Sequence, residues 1–227
     1  MRMINHHPGR VSATLLGLLP FLLIMLIYSL ASQERLAENP NDKLLPGLEQ
    51  MTAAVERMAF QEDRRSGDYL MVQDTTASLA RLGMGVGIAA LLALVVGILN
   101  GVLPLVRANL APLVSALSMV PPLAILPILF IVFGLGELSK VMLIVIGTAP
   151  IMMRDVAQRV RELPGEQLIK IQTLGANSWQ VITRMALPQV LPRLIDAVRL
   201  SLGPAWLFLI AAEAIASTEG LGYRIFL

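Results

Sequence analysis

The sequence predicts an all-α protein, a polytopic transmembrane helical bundle. Three observations carry this reading. Of 227 residues, 56% are hydrophobic and 15% charged, against about 45–50% and about 25% in soluble domains. The apolar residues gather in uncharged blocks, and about twenty such residues of helix cross about 30 Å of hydrocarbon. The arginine-rich short segments between blocks fall on one side, the cytoplasmic one, as the positive-inside rule expects. The mean hydropathy of +0.69 agrees with membrane residence. The sequence pI of about 9.3 reflects arginines at span ends, so nucleic acid is not an expected partner.

Residues 1–10 form a basic tail containing the adjacent His6 and His7. Two neighbouring imidazoles do not complete a metal shell, so a tail at the membrane surface is expected, not a metal site. The chain has no cysteine, which excludes disulfides, thiolate metal sites and a cysteine nucleophile. Residues 11–33 carry no charge and are expected to form the first span. A signal peptide shares the order of basic start and apolar core. This run is longer than such a core, and Ser29-Leu30-Ala31 is a poor cleavage site.

Residues 34–81 are rich in charges of both signs and are expected to form a periplasmic excursion. Pro40, Lys43, Leu44, Leu45, Pro46 and Gly47 predict a turn, and residues 48–60 a short amphipathic helix. The segment suits a solvated linker with a cap helix, or a docking surface for an external partner.

Residues 82–227 form the expected core. The second span, 82–106, holds Gly83 and Gly87, and Gly97 and Gly101, at the four-residue spacing that lets helices approach closely in lipid. Arg107 is expected in a tight turn. The third stretch, 108–136, is broken by Pro112, Pro121, Pro122 and Pro127. Proline removes a backbone donor and kinks a helix. In lipid such breaks survive where protein or a watery cavity satisfies the freed groups, which makes Pro121, Pro122 and Pro127 candidates for a translocation pathway or gate.

The fourth span, 141–153, is short, and Lys140 and Arg154 are expected to snorkel at its ends. Residues 154–193 are polar and basic. Residues 194–217 form the fifth span, in which Asp196 and Arg199 are spaced to pair along the helix. Glu213 lies inside this span, where an ionisable residue costs about 2.5–3.5 kcal/mol on insertion scales. It suits the pathway or gate, or a paired or hydrated position near the outer interface.

A cytoplasmic N-terminus puts residues 34–81 and Glu137 outside, and Arg107 and residues 154–193 inside. Lys140 is the exception, and Glu137 is close enough in sequence to offset it. Five spans follow.

Catalysis finds no support in the sequence. No Gly-x-x-x-x-Gly-Lys-Ser/Thr phosphate cradle occurs, and Gly134 to Lys140 lacks its second glycine. No His-Glu-x-x-His or Gly-x-Ser-x-Gly occurs either. The chain is expected to be no enzyme and to hold no cofactor.

The polar loop is more telling. Residues 166–180 favour helix, yet Gly175 stands mid-segment, where it costs about 1 kcal/mol against alanine. The pattern predicts a two-helix elbow, packed by Leu174, Trp179 and Ile182 and able to enter a cleft on a partner. An amphipathic connector on the membrane surface is the simpler alternative.

Gly175, nine residues, then Met185, Ala186, Leu187 and Pro188 resemble the "EAA" loop of ATP-binding-cassette importer permeases: Glu-Ala-Ala, three residues, Gly, nine residues, Ile-x-Leu-Pro. Met185 stands for isoleucine. The Glu-Ala-Ala positions are Ile169, Lys170 and Ile171, so the acid is absent, and Glu166 lies one turn earlier. Pro121-Pro122-Leu123-Ala124, Pro127, Phe133-Gly134-Leu135-Gly136, Leu174-Gly175-Ala176-Asn177-Ser178-Trp179-Gln180, Ala212-Glu213 and Gly220-Leu221-Gly222-Tyr223 resemble the nitrate, taurine, alkanesulfonate and bicarbonate branch.

The resemblance implies a type I ABC importer permease fold with six spans, the sixth missing from this chain. It implies a homodimeric pore in the bacterial inner (plasma) membrane, two cytoplasmic ATP-binding subunits, and a periplasmic or lipid-anchored solute-binding protein. It implies import of a small polar solute or oxyanion. Coupling to the ATPase would then rest on Glu166, Lys170, Leu174, Gly175, Ala176, Trp179, Leu187 and Pro188. The alternatives are an ion-gradient-driven secondary transporter, which calls for intramembrane acids in several spans and an internal repeat, and a membrane-anchored scaffold.

Overall fold

The structure is a computed structural model that describes residues 9–40, 44–62, 67 and 69–227. Most of the expected N-terminal tail, with His6 and His7, lies outside the described residues, as does Lys43 of the expected turn. Every described regular element is helical. The chain divides into two units, Met1–Leu70 and Met71–Leu227.

In the first unit, α1 (Arg10–Glu38) is apolar on all sides for most of its length and buries almost nothing within the chain. Such a helix is expected where lipid is the solvent. The helix α2 (Leu48–Phe60) has the bounds its periodicity predicts. Its entry is tied to α1 by two hydroxyls. Tyr28 donates to the carbonyl of Pro46 at 2.8 Å, and Ser32 to that of Leu45 at 3.0 Å.

The second unit is built on three long helices: α3 (Leu70–Val102), α6 (Glu137–Arg161) and α9 (Leu187–Ala216). The start of α3 at Leu70 means that its first three turns run through the segment expected as a solvated excursion ending at 81. A Cβ on Gly85 would meet Ile144 at 2.7 Å, and one on Gly97 would meet Val156 at 2.7 Å; a Cβ on Gly101 would strike Val160. Steps of twelve and four residues on α3 thus match equal steps on α6, so the two helices run parallel in one continuous register. Ala89 and Ala93 fill the same stripe and are fully buried. The close approach therefore uses Gly85, Ala89, Ala93, Gly97 and Gly101. Of the two glycine pairs singled out by spacing, only Gly97 and Gly101 lie in it. Gly83 and Gly87 face open space. Side chains that let backbones approach replace the hydrophobic drive that lipid removes.

Four described helices are long and apolar enough to cross a membrane: Arg10–Glu38, Leu70–Val102, Glu137–Arg161 and Ser178–Ala216. A fifth follows if the pair Pro104–Leu117 and Pro122–Phe133, bent by 81°, is counted as one span. The fold is thus an all-α polytopic bundle with four apolar spans, or five with the bent pair.

The bend is written in proline. Helix α4 (Pro104–Leu117) starts on one, and a 3₁₀ turn (Pro122–Ile125) starts on another. The following α5 (Leu126–Phe133) has Pro127 in its first turn, where a missing N–H costs no helical bond. Arg107 lies within the first turn of α4, not in the connection itself, because Pro104 nucleates the helix before it. Helix α6 runs well beyond the expected 141–153. Lys140 does not snorkel: it is buried and donates to Glu137 at 2.7 Å and to Ser217 at 3.2 Å. The offset of Lys140 by Glu137 is therefore a direct ion pair. Arg154, at the other end, donates to Ser118 at 2.8 Å. Asp196 and Arg199 are both exposed, and no ion pair joins them among the described residues.

Candidate coupling elbow and buried charge network

The elbow is local chemistry read directly from sequence. Helix α7 (Gly165–Thr173) ends at Gly175, whose φ of 80° is a left-handed value that a Cβ disfavours. The N–H of Gly175 donates to Gln172 at 2.9 Å and that of Ala176 to Ile171 at 3.2 Å. This paired closure satisfies carbonyls the helix end would otherwise leave open. Two residues later a new helix starts. Asn177 accepts from the N–H of Gln180 at 2.9 Å, while the Gln180 side chain accepts from the N–H of Asn177 at 3.0 Å.

The second arm is not the short helix expected. It runs from α8 (Ser178–Gln180) through a π-helical turn (Val181–Ala186) into α9. Pro188 explains the wide turn. It has no N–H for the ordinary ladder, and Leu187 bonds five residues back, to the carbonyl of Ile182. The elbow is thus joined to α9 by continuous helix from Ser178.

The elbow is not packed on itself either. Leu174 is 79% exposed and Trp179 68%, while Ile182 packs against the main core. Glu166 lies in the first turn of α7 and Lys170 in its last, both exposed. The elbow thus presents two large apolar side chains beside a backbone bend.

At the opposite end of the bundle lies a buried charge network. Arg81 of α3 donates to Glu213 of α9 at 2.8 Å and to the backbone carbonyl of Glu219 at 3.0 Å. It also pairs with Glu137 of α6 and, at 3.2 Å, with the Glu219 carboxylate. Glu213 has no exposed surface and accepts further from Ser78 at 2.8 Å and from the N–H of Gly222 at 2.8 Å. Asp74 accepts from the N–H of Gly220 at 2.8 Å and pairs with Arg224 of α10 (Leu221–Ile225) at 2.6 Å. Gly220 sits at φ 119°, and a Cβ there would meet the Glu213 carboxylate at 2.6 Å. The network ties α3, α6, α9 and α10 together at one end.

The chain is similar, over residues 85–227, to the family described as binding-protein-dependent transport system inner membrane component. The chain belongs to this family. The taurine transport system permease protein TauC of Escherichia coli K12 is 39% identical over 159 residues, which is 70% of this chain and 58% of that protein. The bicarbonate transport system permease protein CmpB of Synechococcus elongatus is 31% identical over 217 residues, 93% of this chain and 74% of that protein. In fold, the chain resembles one from inward-facing conformations of the MetNI methionine ABC transporter. That match has a TM-score of 0.61 and 22% identity, and covers 71% of this chain and 81% of the other. The chain spans about three fifths of the length of TauC and of similar permeases from Brucella. Family membership favours a binding-protein-dependent transport component over both the ion-driven transporter and the scaffold.

Within that family frame, the expected site residues separate into groups. Glu166, Lys170, Leu174, Gly175, Ala176 and Trp179 gather at the elbow, and Leu187 and Pro188 open α9. Pro121, Pro122 and Pro127 shape the bend between α4 and α5, where Pro122 lies near Gly147 of α6. Glu213 is remote from them in function: its hydrogen-bond partners are Ser78, Arg81 and Gly222, and it lines no open space. Its carboxylate is buried and paired. Asp74, Ser78 and Arg81 escape a reading based on charge alone. A signal was present, since 74, 78, 81, 85, 89, 93 and 97 share one face of a helix.

Proposed function

We propose that this chain is the membrane permease subunit of an ATP-driven importer for a small polar solute or oxyanion, of the nitrate, sulfonate, taurine or bicarbonate kind. Cytoplasmic ATP-binding subunits engage the loop 154–193 through the elbow. Closure of those subunits on ATP pulls Gly175 and its flanks, and the uninterrupted helix from Ser178 carries the displacement into the bundle. A periplasmic or lipid-anchored binding protein delivers the solute, and a second copy of the chain completes the pore. The N-terminus is cytoplasmic and residues 34–81 are periplasmic. The bend between α4 and α5, with Pro121, Pro122 and Pro127, borders the pathway.

One observation supports this reading above the others: the exposed Leu174 and Trp179 flank a backbone bend that only glycine adopts without strain. An apolar pair held out on a polar loop needs a protein groove. The test is purification of the tagged chain from native membranes in mild detergent. An ATP-hydrolysing cassette protein should copurify, and solute uptake by vesicles should require ATP. Uptake driven by an ion gradient in the absence of ATP would overturn the proposal.

A further inference from the structure

Helix α2 of the first unit buries none of its residues. Leu48, Met51 and Val55, three and four residues apart, form an exposed apolar stripe along it. Glu56 and Arg57 face away from that stripe and are exposed too. The entry of α2 is fixed against the span. Residues 11–33 carry no charge, and as helix they rise about 33 Å, close to the hydrocarbon thickness of about 30 Å. Tyr28 and Ser32, whose hydroxyls hold the carbonyls of Pro46 and Leu45, belong to that run. Tyr28 stands about 9 Å from Glu34 along the axis, and the Met51 sulfur lies 3.7 Å from its hydroxyl. Gly47 is so close to α1 that a Cβ would meet Leu36 at 3.0 Å. The first turn of α2 thus starts where hydrocarbon gives way to headgroups, a depth at which tyrosine concentrates.

A cavity of about 730 Å³ separates that first turn from α1. Its apolar walls include Phe21, Ile24, Met25 and Tyr28 of α1 and Leu48 and Met51 of α2. Gln33 and Gln50 also line it, and Gln50 donates to the carbonyl of Pro40 at 3.1 Å. Water in such a space would keep apolar surface wet, whereas hydrocarbon would not.

We infer that α2 is an interfacial helix seated in the lipid leaflet at the C-terminal end of α1. Leu48, Met51 and Val55 turn into the acyl layer, Glu56 and Arg57 turn toward headgroups and water, and a phospholipid acyl chain fills the cavity. The partner is a lipid surface, because the span itself fixes the depth at which α2 begins. A helix with apolar residues on one side and charges on the other takes this position in a membrane. Residues 48–60 are then neither a solvated linker nor a docking surface for an external protein. The inference rests on α1 as a span and goes beyond the transport reading. On the orientation proposed above, the leaflet is the periplasmic one.

The test is spin-label accessibility in the full chain, reconstituted in nanodiscs of phosphatidylethanolamine and phosphatidylglycerol. The chain has no cysteine, so one introduced thiol carries one nitroxide. Collisions with oxygen, which concentrates among acyl chains, are compared with collisions with a water-soluble nickel chelate. Leu48→Cys, Val55→Cys and Met25→Cys should favour oxygen. Glu56→Cys and Arg57→Cys should favour nickel, so the ratio inverts between neighbouring residues of one helix. All five side chains are exposed, so folding should survive, and Leu48 and Val55 each report on the stripe if the other label disturbs it. Nickel access equal on both faces of α2 would place the helix in water and overturn the inference. A stripe shielded from both reagents would mean that protein covers it, a second copy or another partner, and would also overturn it. Nickel access at Met25 would mean water in the cavity and would overturn the acyl-chain assignment. Leu19→Cys, in the middle of α1, is the membrane control; nickel access there would take α1 out of the membrane and the inference with it. Failure of an ATPase to copurify bears on the transport reading alone and leaves these collisions unchanged.

Discussion

Gly175 and Glu213 show how differently a single residue can matter in the two ends of one bundle. At Gly175 nothing stands within 4 Å of an added Cβ, so a substitution meets no crowding. The penalty is in the backbone, about 1–2 kcal/mol for an L side chain in the left-handed region. Gly175→Val should therefore leave the helices folded while shifting the elbow. ATP hydrolysis by the assembled complex should persist and solute uptake should fall. Gly83→Val, in open space at ordinary helical φ, is the matched control. Uptake that survives in Gly175→Val, measured in vesicles, would count against the elbow as the transmitting element. Glu213 is the opposite case, since its carboxylate is enclosed by Arg81, Ser78 and the Gly222 N–H. Glu213→Ala takes one of three carboxylates from the buried Arg81 and leaves Ser78 and the Gly222 N–H without their acceptor, and each hydrogen bond lost to a charged group costs about 1.5–3 kcal/mol. A thermal melt in detergent should show a large drop in Tm, whereas Glu166→Ala, on an exposed turn, should melt like the parent.

At the scale of elements, α3 and α6 form a close parallel pair. Its stripe of small residues permits an approach that larger side chains forbid. Gly97→Leu drives a side chain into Val156 and the carbonyl of Met153, and overpacking of this kind costs about 1–3 kcal/mol or more. Gly87→Leu projects into open space and should be tolerated. Comparing the yield of monodisperse protein for these two variants checks the register directly; equal yields would contradict it. The four-residue spacing was legible in the sequence, but it marks two glycine pairs equally. The choice between them depends on which face α6 covers, and spacing alone does not encode the partner's position. The elbow was legible for the opposite reason. Its stop and start signals, Gly175 and the Asn177–Gln180 pair, act on backbone groups within a few residues.

For the whole molecule, orientation is the central expectation. The natural chain has no cysteine, so one introduced thiol reports one position. Ser178→Cys should react with a membrane-impermeant maleimide in inverted vesicles and not in intact spheroplasts, and Glu62→Cys should do the reverse. Labelling of Ser178→Cys from outside would invert the topology and remove the ATPase from reach of the elbow. The buried charge network makes a second claim at this scale. It joins α3, α6, α9 and α10 at the end of the bundle opposite the elbow.

The all-helical membrane class, the bounds of α2, the proline bend and the glycine turn are all legible without coordinates. Each of these depends on composition, or on groups within about one helical turn of each other. Three-dimensional packing is what buries Asp74 and Arg81, charges in a segment that reads as solvated, and encloses Lys140 between Glu137 and Ser217. It also encloses Glu213 in a buried pair with Arg81. The physical reason is that a charge carries the same letter in water and in an ion pair. What separates the two is the arrival of a partner more than a hundred residues away, as Glu213 arrives at Arg81.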